Sequence, residues 1–401
     1  MTDRYFRKGF GLKQEILGTL TNDYHSHLVN RIREQGGTLA VADLTFRLAK
    51  EFGFCYGVDR AVEYAYESRK KFPDRRIFLV GEIIHNPHVN AKLESMGIAI
   101  ILPDDDGRFD FAGITAEDVV LIPAFGVQVR DTHVLRETGS VLVDTTCGSV
   151  LNVWKRVERY ARDGFTAVVH GKHYHEETRA TVSQVTKNPD GRYLVVRHMP
   201  EAEILCGFIR GEETVSRMRE TFGHKVSSGF DFEHDLDRVG VANQTTMLAG
   251  ESLAIAAKLR EAMTARYGAE HLDAHFRTFD TICSATQERQ DALLDLIEEP
   301  LDMMIVIGGY NSSNTSNLAS IASRKVTTYH IADATCIDAE TGNIRHKPVG
   351  VDQEVVKEQW LGDGARCLGI TAGASTPNNK IGEAIERVLQ TRALDLPTEV
   401  T

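Results

Sequence analysis

The chain is short of long apolar runs, of positive charge and of cysteine, and each shortage removes a class of protein. No stretch of about eighteen apolar residues occurs anywhere in its 401 residues, so no segment is long enough to span a bilayer and no membrane partner is expected. Acidic residues outnumber basic ones by 57 to 46, leaving a net charge of −11. A sequence-independent nucleic-acid binder needs a basic face to meet phosphate, so no nucleic-acid partner is expected either. The first residues hold no apolar signal core, and their acidic residues and sparse serines do not make a transit segment, so the expected location is cytoplasmic. There are six cysteines, no two of them close in sequence. Local zinc and ferredoxin motifs with clustered thiols are therefore absent. In a long chain without export signals, metal or redox chemistry is a better expectation than a disulfide framework. The glycine turns lack the lysine of a P-loop, and no nucleotide fingerprint appears, which disfavours a nucleoside triphosphatase.

What remains is an ordinary globular composition, 42% hydrophobic and 26% charged, in a chain with room for two or three domains. Residues 1–45 read as an extension with one or two helices and no evident chemistry. From Leu44 the pattern is α/β. Short apolar runs at 77–80, 119–122, 141–143, 166–169, 193–196, 239–241, 303–307, 326–331 and 367–371 predict buried parallel strands. Amphipathic stretches such as 58–70 and 127–137 alternate with them, which implies right-handed βαβ units with ligands beyond the carboxyl ends of the strands. Residues 198–238, with Gly211, Gly223 and Gly229, read as a surface insertion, and 333–360 as loop. The expected division is the extension, a first α/β domain over 46–145 whose first strand is a candidate to pair with the third domain, a second over 146–278, and a third over 279–401.

Three cysteines share one local setting. Cys55 lies in Gly53-Phe54-Cys55-Tyr56-Gly57-Val58, Cys147 ends Asp144-Thr145-Thr146-Cys147, and Cys283 ends Asp280-Thr281-Ile282-Cys283. Each stands where an extended run stops and a helix opens, a position that favours a thiolate. Three thiolates gathered by the fold would hold an iron–sulfur cluster and leave one iron open to substrate. Cys206, Cys336 and Cys367 lack that setting and read as small buried hydrophobes.

Anion-binding turns come next. The run Met303 to Gly309 leads into Tyr310-Asn311-Ser312-Ser313-Asn314 and a helix, presenting backbone N–H groups and hydroxyls to phosphate. Thr371-Ala372-Gly373-Ala374-Ser375 repeats the arrangement, although for Ser375 alone a plain helix cap is the better reading. His85 follows a strand in Glu82-Ile83-Ile84-His85-Asn86. The run His170-Gly171-Lys172-His173-Tyr174-His175-Glu176-Glu177 ends another strand with three histidines and two carboxylates, a set suited to zinc or to phosphate donors with one carboxyl as general acid. Gln244-Thr245-Thr246 offers hydroxyls beyond a further strand, or a helix cap.

These dispersed pieces, in this order from about Leu44 to about Leu389, resemble the 4-hydroxy-3-methylbut-2-enyl diphosphate reductase (IspH/LytB) family of the non-mevalonate isoprenoid pathway. The resemblance implies three α/β domains in a trefoil around one [4Fe–4S] cluster held by Cys55, Cys147 and Cys283. It implies that His85, His175, Ser312, Ser313, Asn314 and Ser375 hold the diphosphate, and that Glu177 supplies protons with Thr245 beside it. It implies reductive loss of the substrate hydroxyl to give isopentenyl and dimethylallyl diphosphates, with electrons from an external ferredoxin or flavodoxin. The family's Ala-His-Gly segment stands here as Ala124-Phe125-Gly126, which removes one expected diphosphate contact. The chain looks like the branch found in cyanobacteria and plastids, which carries a similar central insertion. Read from the residues alone, the alternatives are a non-redox zinc- and phosphate-binding protein with structural cysteines, and an iron–sulfur sensor without turnover.

Overall fold

The computed structural model describes residues 4–279 and 281–397, so Asp280 of the third cysteine turn lies outside the described residues. The fold is α/β and its large sheets are mostly parallel. The chain divides into two compact units, one of residues 4–8, Asp74–Ile83 and Ala99–Cys283, the other of Gly9–Pro73, Ile84–Ile98 and residues 284–397. Among the described residues no helix is long and apolar enough to cross a membrane.

The first unit is built on two sheets. One runs in the order Tyr5–Phe6, Val141–Asp144, Val119–Ile122, Ile77–Val80, Ile98–Ile101. The other runs Phe276–Thr278, Val239–Asn243, Thr166–His170, Tyr193–Val196, with every neighbour parallel. Strands such as Val119–Ile122 and Val239–Asn243 are buried at every position, as parallel strands covered on both faces should be. The helix Gly148–Arg162 is amphipathic: Val150, Val153, Val157, Tyr160 and Ala161 are buried at helical spacing. Gly164 turns it straight into Thr166–His170. A helix followed so closely by a strand runs antiparallel to it, so the helix's first residue, next to Cys147, lies on the side where that strand ends.

The second unit has the sheet order Thr328–Ile331, Met303–Ile307, Arg366–Ala372, Leu44–Leu48, Thr38–Val41. It is parallel except for the terminal hairpin, in which Thr38–Val41 pairs antiparallel with Leu44–Leu48. The helix Tyr56–Lys71 buries Val58, Ala61, Val62, Ala65 and Tyr66 and ends in Arg69, Lys70 and Lys71, cations that suit a helix carboxyl end. Its buried Glu67 accepts from the N–H groups of Phe10 and of Leu12 (2.7 Å), fastening the chain ahead of the helix Lys13–Tyr24.

Two expectations are corrected. Residues 198–238 are not merely a surface insertion: the helices Met199–Ile209 and Val215–Phe222 bury Leu205, Cys206, Met218 and Phe222 in one cluster with Leu259 and Met263 of the helix Ala249–Tyr267. Each such side chain is worth about 1.5–3 kcal/mol on burial, so the segment is part of the core. Residues 333–360 are not simply loop. They include a three-stranded antiparallel sheet of Ile337–Asp338, Asn343–His346 and Val355–Lys357.

Candidate active site

In the first unit, the turn after Val141–Asp144 is fixed by a buried carboxylate. Asp144 accepts from the Thr146 amide (3.0 Å), the Thr146 hydroxyl (2.5 Å), the Tyr5 hydroxyl (2.6 Å) and Arg7 Nε (3.1 Å). Burial and Asp144 together push the Tyr5 hydroxyl up to about 12, so it stays a donor. Charge-assisted bonds of this kind are worth about 1.5–3 kcal/mol each. Cys147 follows as the residue before the helix Gly148–Arg162, in extended backbone, and its N–H donates to Ala124 O at 2.9 Å. The sequence reading assigned residues 1–45 no chemistry, yet Tyr5 and Arg7 hold the turn that presents Cys147. Nothing local in the sequence pairs residue 5 with residue 144; only the strand register does.

The same 123–126 turn reaches the next candidate. Phe125 meets the His175 ring edge-on, with centroids 6.0 Å apart. His175 caps the helix Glu176–Val185, its Nδ1 accepting from the Glu177 N–H at 3.2 Å. Glu177 is 1% exposed and its Oε1 accepts from the Thr245 N–H at 2.5 Å. That loop is set by Gln244, wholly buried, whose Oε1 accepts from the Lys172 N–H (3.1 Å) and the Thr178 hydroxyl (3.2 Å), and whose Nε2 donates to Thr246 Oγ1 (2.8 Å). One residue earlier, Asn243 receives the Thr281 hydroxyl on Oδ1 and donates its N–H back to Thr281 Oγ1 at 3.1 Å, two residues before Cys283. Within this unit, then, His175, Glu177 and Thr245 are joined, and the Cys147 and Cys283 turns are tied to that group by hydrogen bonds and a ring contact.

The three histidines of 170–175 part company. His170 Nδ1 bonds Ser252 Oγ at 2.8 Å, His173 packs edge-on against His224 (5.0 Å), and only His175 serves the Glu177 helix. Burial holds the His170 and His173 imidazoles below the ordinary histidine range.

In the second unit, four turns converge. Cys55, in extended backbone before Tyr56–Lys71, donates its N–H to Ala374 O at 3.2 Å. Gly53 has φ +77° and a Cβ there would lie 3.2 Å from Thr376 O, so this turn requires glycine. Arg289, 4% exposed, donates to Gly53 O (3.0 and 2.8 Å) and Phe54 O (3.0 Å). Arg289 sits in the helix Ser284–Leu296 that follows Cys283, so it pins that helix to the Cys55 turn. The sequence reading missed it, although an arginine among the buried positions of an amphipathic helix was a visible signal.

Ser312 caps the helix Ser313–Ala322, its Oγ accepting from the Thr315 N–H at 3.3 Å. Ser375 Oγ donates to His85 O (3.2 Å) and lies 3.5 Å from Ser312 Oγ. Asn314 Oδ1 accepts from the Ala374 N–H at 2.8 Å, while its Nδ2, buried, has no partner among the described residues. Gly308 opens the turn at φ +145° with Thr376 Oγ1 2.4 Å from any Cβ, another position only glycine fills. His330, also missed from sequence, bonds Gly308 O through Nε2 at 3.0 Å; burial pushes it down to about 4, so it is neutral and donates. His85, Ser312, Ser313, Asn314 and Ser375 are therefore brought together, all buried, at a helix N-terminus with hydroxyl and amide donors. That is the chemistry of an anion cradle.

The comparisons with known proteins agree in direction. The LytB protein family model matches residues 46–389. The 4-hydroxy-3-methylbut-2-enyl diphosphate reductase of Synechococcus sp. (strain RCC307) is 46% identical over 390 residues, covering 97% of this chain and 94% of that protein. The protein of the same name from Thermosynechococcus vestitus is 45% identical over 395 residues, covering 98% and 96%. A solved structure of (E)-4-hydroxy-3-methyl-but-2-enyl diphosphate reductase, the terminal enzyme of the non-mevalonate pathway, matches with TM-score 0.53 at 27% identity over 86% of this chain and 99% of that one. The corresponding reductase structure from Plasmodium falciparum shares the fold, with TM-score 0.62 at 21% identity over 86% of this chain and 87% of that one. None of these relatives lends support to a zinc-binding, non-redox reading. With its family model covering most of the length and its relatives aligned nearly end to end, this chain belongs to the LytB family.

Proposed function

We propose that the chain reductively removes the hydroxyl of (E)-4-hydroxy-3-methylbut-2-enyl diphosphate, giving isopentenyl and dimethylallyl diphosphates. The name carried by relatives aligned over nearly the whole chain supports this, as does a cradle suited to diphosphate. The observation that carries the cradle is Asn314 Nδ2, a buried amide donor without a partner among the described residues, beside the Ser312 and Ser375 hydroxyls. The overall change breaks the allylic C–O bond, consumes two electrons and two protons, forms one C–H bond and releases water.

The donor set suits a [4Fe–4S] cluster. Cys55, Cys147 and Cys283 are partly exposed, none of the six cysteines is in a disulfide, and each of the three directly precedes a helix. Three thiolates from three turns are the ligands of this reading, one from each of the domains over 46–145, 146–278 and 279–401. When bound, such a cluster supplies single-electron transfers and a Lewis-acidic iron with an open position. Electrons come from an external ferredoxin or flavodoxin, and the expected setting is the cytoplasm.

The chain's own residues do the rest. His85, Ser312, Ser313, Asn314 and Ser375 take the diphosphate and fix the direction of the allyl chain, an entropic and electrostatic contribution. His175 adds a ring donor, held at the helix cap and braced by Phe125. Glu177 delivers a proton to the departing hydroxyl oxygen, and the Thr245 N–H on Oε1 holds its carboxyl in one orientation. Burial of Glu177 and Thr245 keeps bulk water from competing for that proton. The test is Glu177→Gln, which keeps iron and diphosphate binding and loses nearly all turnover; near-normal turnover would remove Glu177 from this role.

A further inference from the structure

The first unit holds a cavity of about 350 Å³ on the far side of the Glu177 helix. Arg130, Arg179 and Lys225 line it together with His173 and His224, and among the described residues no carboxylate lines it. Two of these cations are matched from outside the wall: Lys225 Nζ lies 2.5 Å from Glu201, and Arg130 Nε 3.3 Å from Asp131. Arg179 donates hydrogen bonds to backbone carbonyls, Asp106 O at 2.9 Å and Gly107 O at 2.8 Å, and shares the Asp131 carboxylate with Arg130. One donor–acceptor group is unanswered, because His173 Nδ1 is buried with no partner among the described residues. Three cations answered by the two carboxylates of Asp131 and Glu201, together with an orphaned imidazole nitrogen, leave this concavity one positive charge in excess and suited to an anion. The remaining wall is apolar, formed by Val182, Val195 and the ring of Tyr193, and the volume suits a small phosphorylated molecule rather than a lone ion.

We infer that this cavity is a second anion site that takes a small organic phosphate or diphosphate with a short apolar body, and that it acts on the reaction site through the helix Glu176–Val185. The helix has two working faces. Arg179, Val182 and Ser183 line the cavity, while His175, Glu177 and Thr178 engage one another and the Gln244-Thr245 loop. Ser183 Oγ also accepts from the Val129 N–H at 3.1 Å, so the helix is fixed from the cavity side too. A ligand drawn to Arg179 therefore shifts the element that carries Glu177. The binding half of this inference stands alone; the coupling half rests on the role proposed for Glu177.

The experiment is calorimetric titration of oxygen-free holoprotein with dimethylallyl diphosphate and with inorganic pyrophosphate. The double variant Ser312→Ala/Asn314→Ala, which disables the cradle, is expected to retain one saturable event per chain and to bind the alkyl diphosphate more tightly than pyrophosphate. Adding Thr186→Glu, at the exposed rim of the cavity, or Arg179→Gln is expected to weaken that event roughly ten- to hundredfold. No saturable event up to roughly 1 mM in the double variant, or one indifferent to both additions, overturns the site. Equal affinity for the two probes overturns the organic body. In otherwise unaltered protein, dimethylallyl diphosphate is expected to inhibit noncompetitively, and Thr186→Glu to abolish that component; purely competitive inhibition overturns the coupling. Normal turnover and KM in the double variant would count against the diphosphate cradle instead, and leave the cavity assignment standing.

Discussion

Six cysteines occupy two kinds of place in this molecule. Cys55, Cys147 and Cys283 stand in turns, partly exposed, each directly ahead of a helix, with neighbouring backbone fixed by long-range contacts such as Cys55 N–H to Ala374 O and Cys147 N–H to Ala124 O. Cys206 is inside the helix Met199–Ile209, Cys336 in a short 3-10 turn, and Cys367 in the strand Arg366–Ala372. Burial pushes the Cys206 thiol up to about 11 and raises that of Cys367, so both are held as neutral thiols. Cys206 and Cys336 are buried in packing, whereas Cys367, expected to be buried, is partly exposed in its strand; Cys55, Cys147 and Cys283 stand at turns, where the proposed function uses them. What separates the two sets is the backbone geometry and the carboxylates, amides and arginines that hold it: Asp144 for Cys147, Asn243 with Thr281 for Cys283, Arg289 for Cys55.

The contrast predicts the largest difference between variants. Replacing Cys55, Cys147 or Cys283 by serine is expected to cut activity by about a thousandfold or more, with iron content falling together with it, as loss of a ligand should. Cys206→Ala should keep full iron content and cost only about 1–2 kcal/mol of stability, measured by denaturant unfolding of the holoprotein. Equal iron loss in both would erase the distinction.

Glu177→Gln comes next. A lost general acid is expected to lower turnover roughly 100- to 10,000-fold while the iron spectrum stays unchanged. Asn314→Ala removes the proposed anion donor, and a KM increase of roughly ten- to hundredfold with smaller change in kcat is expected.

His330 sharpens the comparison from the side of pH. Its folded value of about 4 lies below the ordinary histidine value, so between about 6.5 and 4 the unfolded chain binds a proton that the folded chain refuses. Its stabilising contribution is complete above about 6.5 and is lost as pH falls through that window, on the order of 3 kcal/mol in total. Thermal unfolding of wild type against His330→Gln from pH 7 to 4.5 is expected to show a steeper decline in wild type; parallel curves would contradict it. The smallest effect is at Phe125. Phe125→Ala removes the edge contact that braces His175, worth about 0.5–1.5 kcal/mol, so KM is expected to rise about two- to tenfold.

Much of this was legible in the chain. The buried runs 77–80, 119–122 and 193–196 coincide with strands, because parallel strands covered on both faces are apolar without interruption. The cysteine turns and the Gly308-Gly309 turn were visible because strand, glycine and helix follow one another locally. Short pieces were not. Tyr5–Phe6 and Phe276–Thr278 are strands only through register with distant partners. Residues 198–238 misled because glycines and charges on the outer half outweighed Leu205, Met218 and Phe222 on the inner one. Asp144's partners, Arg289's carbonyls and His330's grip on Gly308 join residues far apart in sequence, and no local pattern announces such pairs.

The central claim is that three cysteine turns hold one iron–sulfur cluster with an iron left for substrate. Iron analysis and Mössbauer spectroscopy of protein purified without oxygen test it most directly. The account predicts a brown protein with about four irons per chain, one of them spectroscopically distinct and altered by added substrate. A colourless protein, or four equivalent irons that ignore substrate, would contradict it.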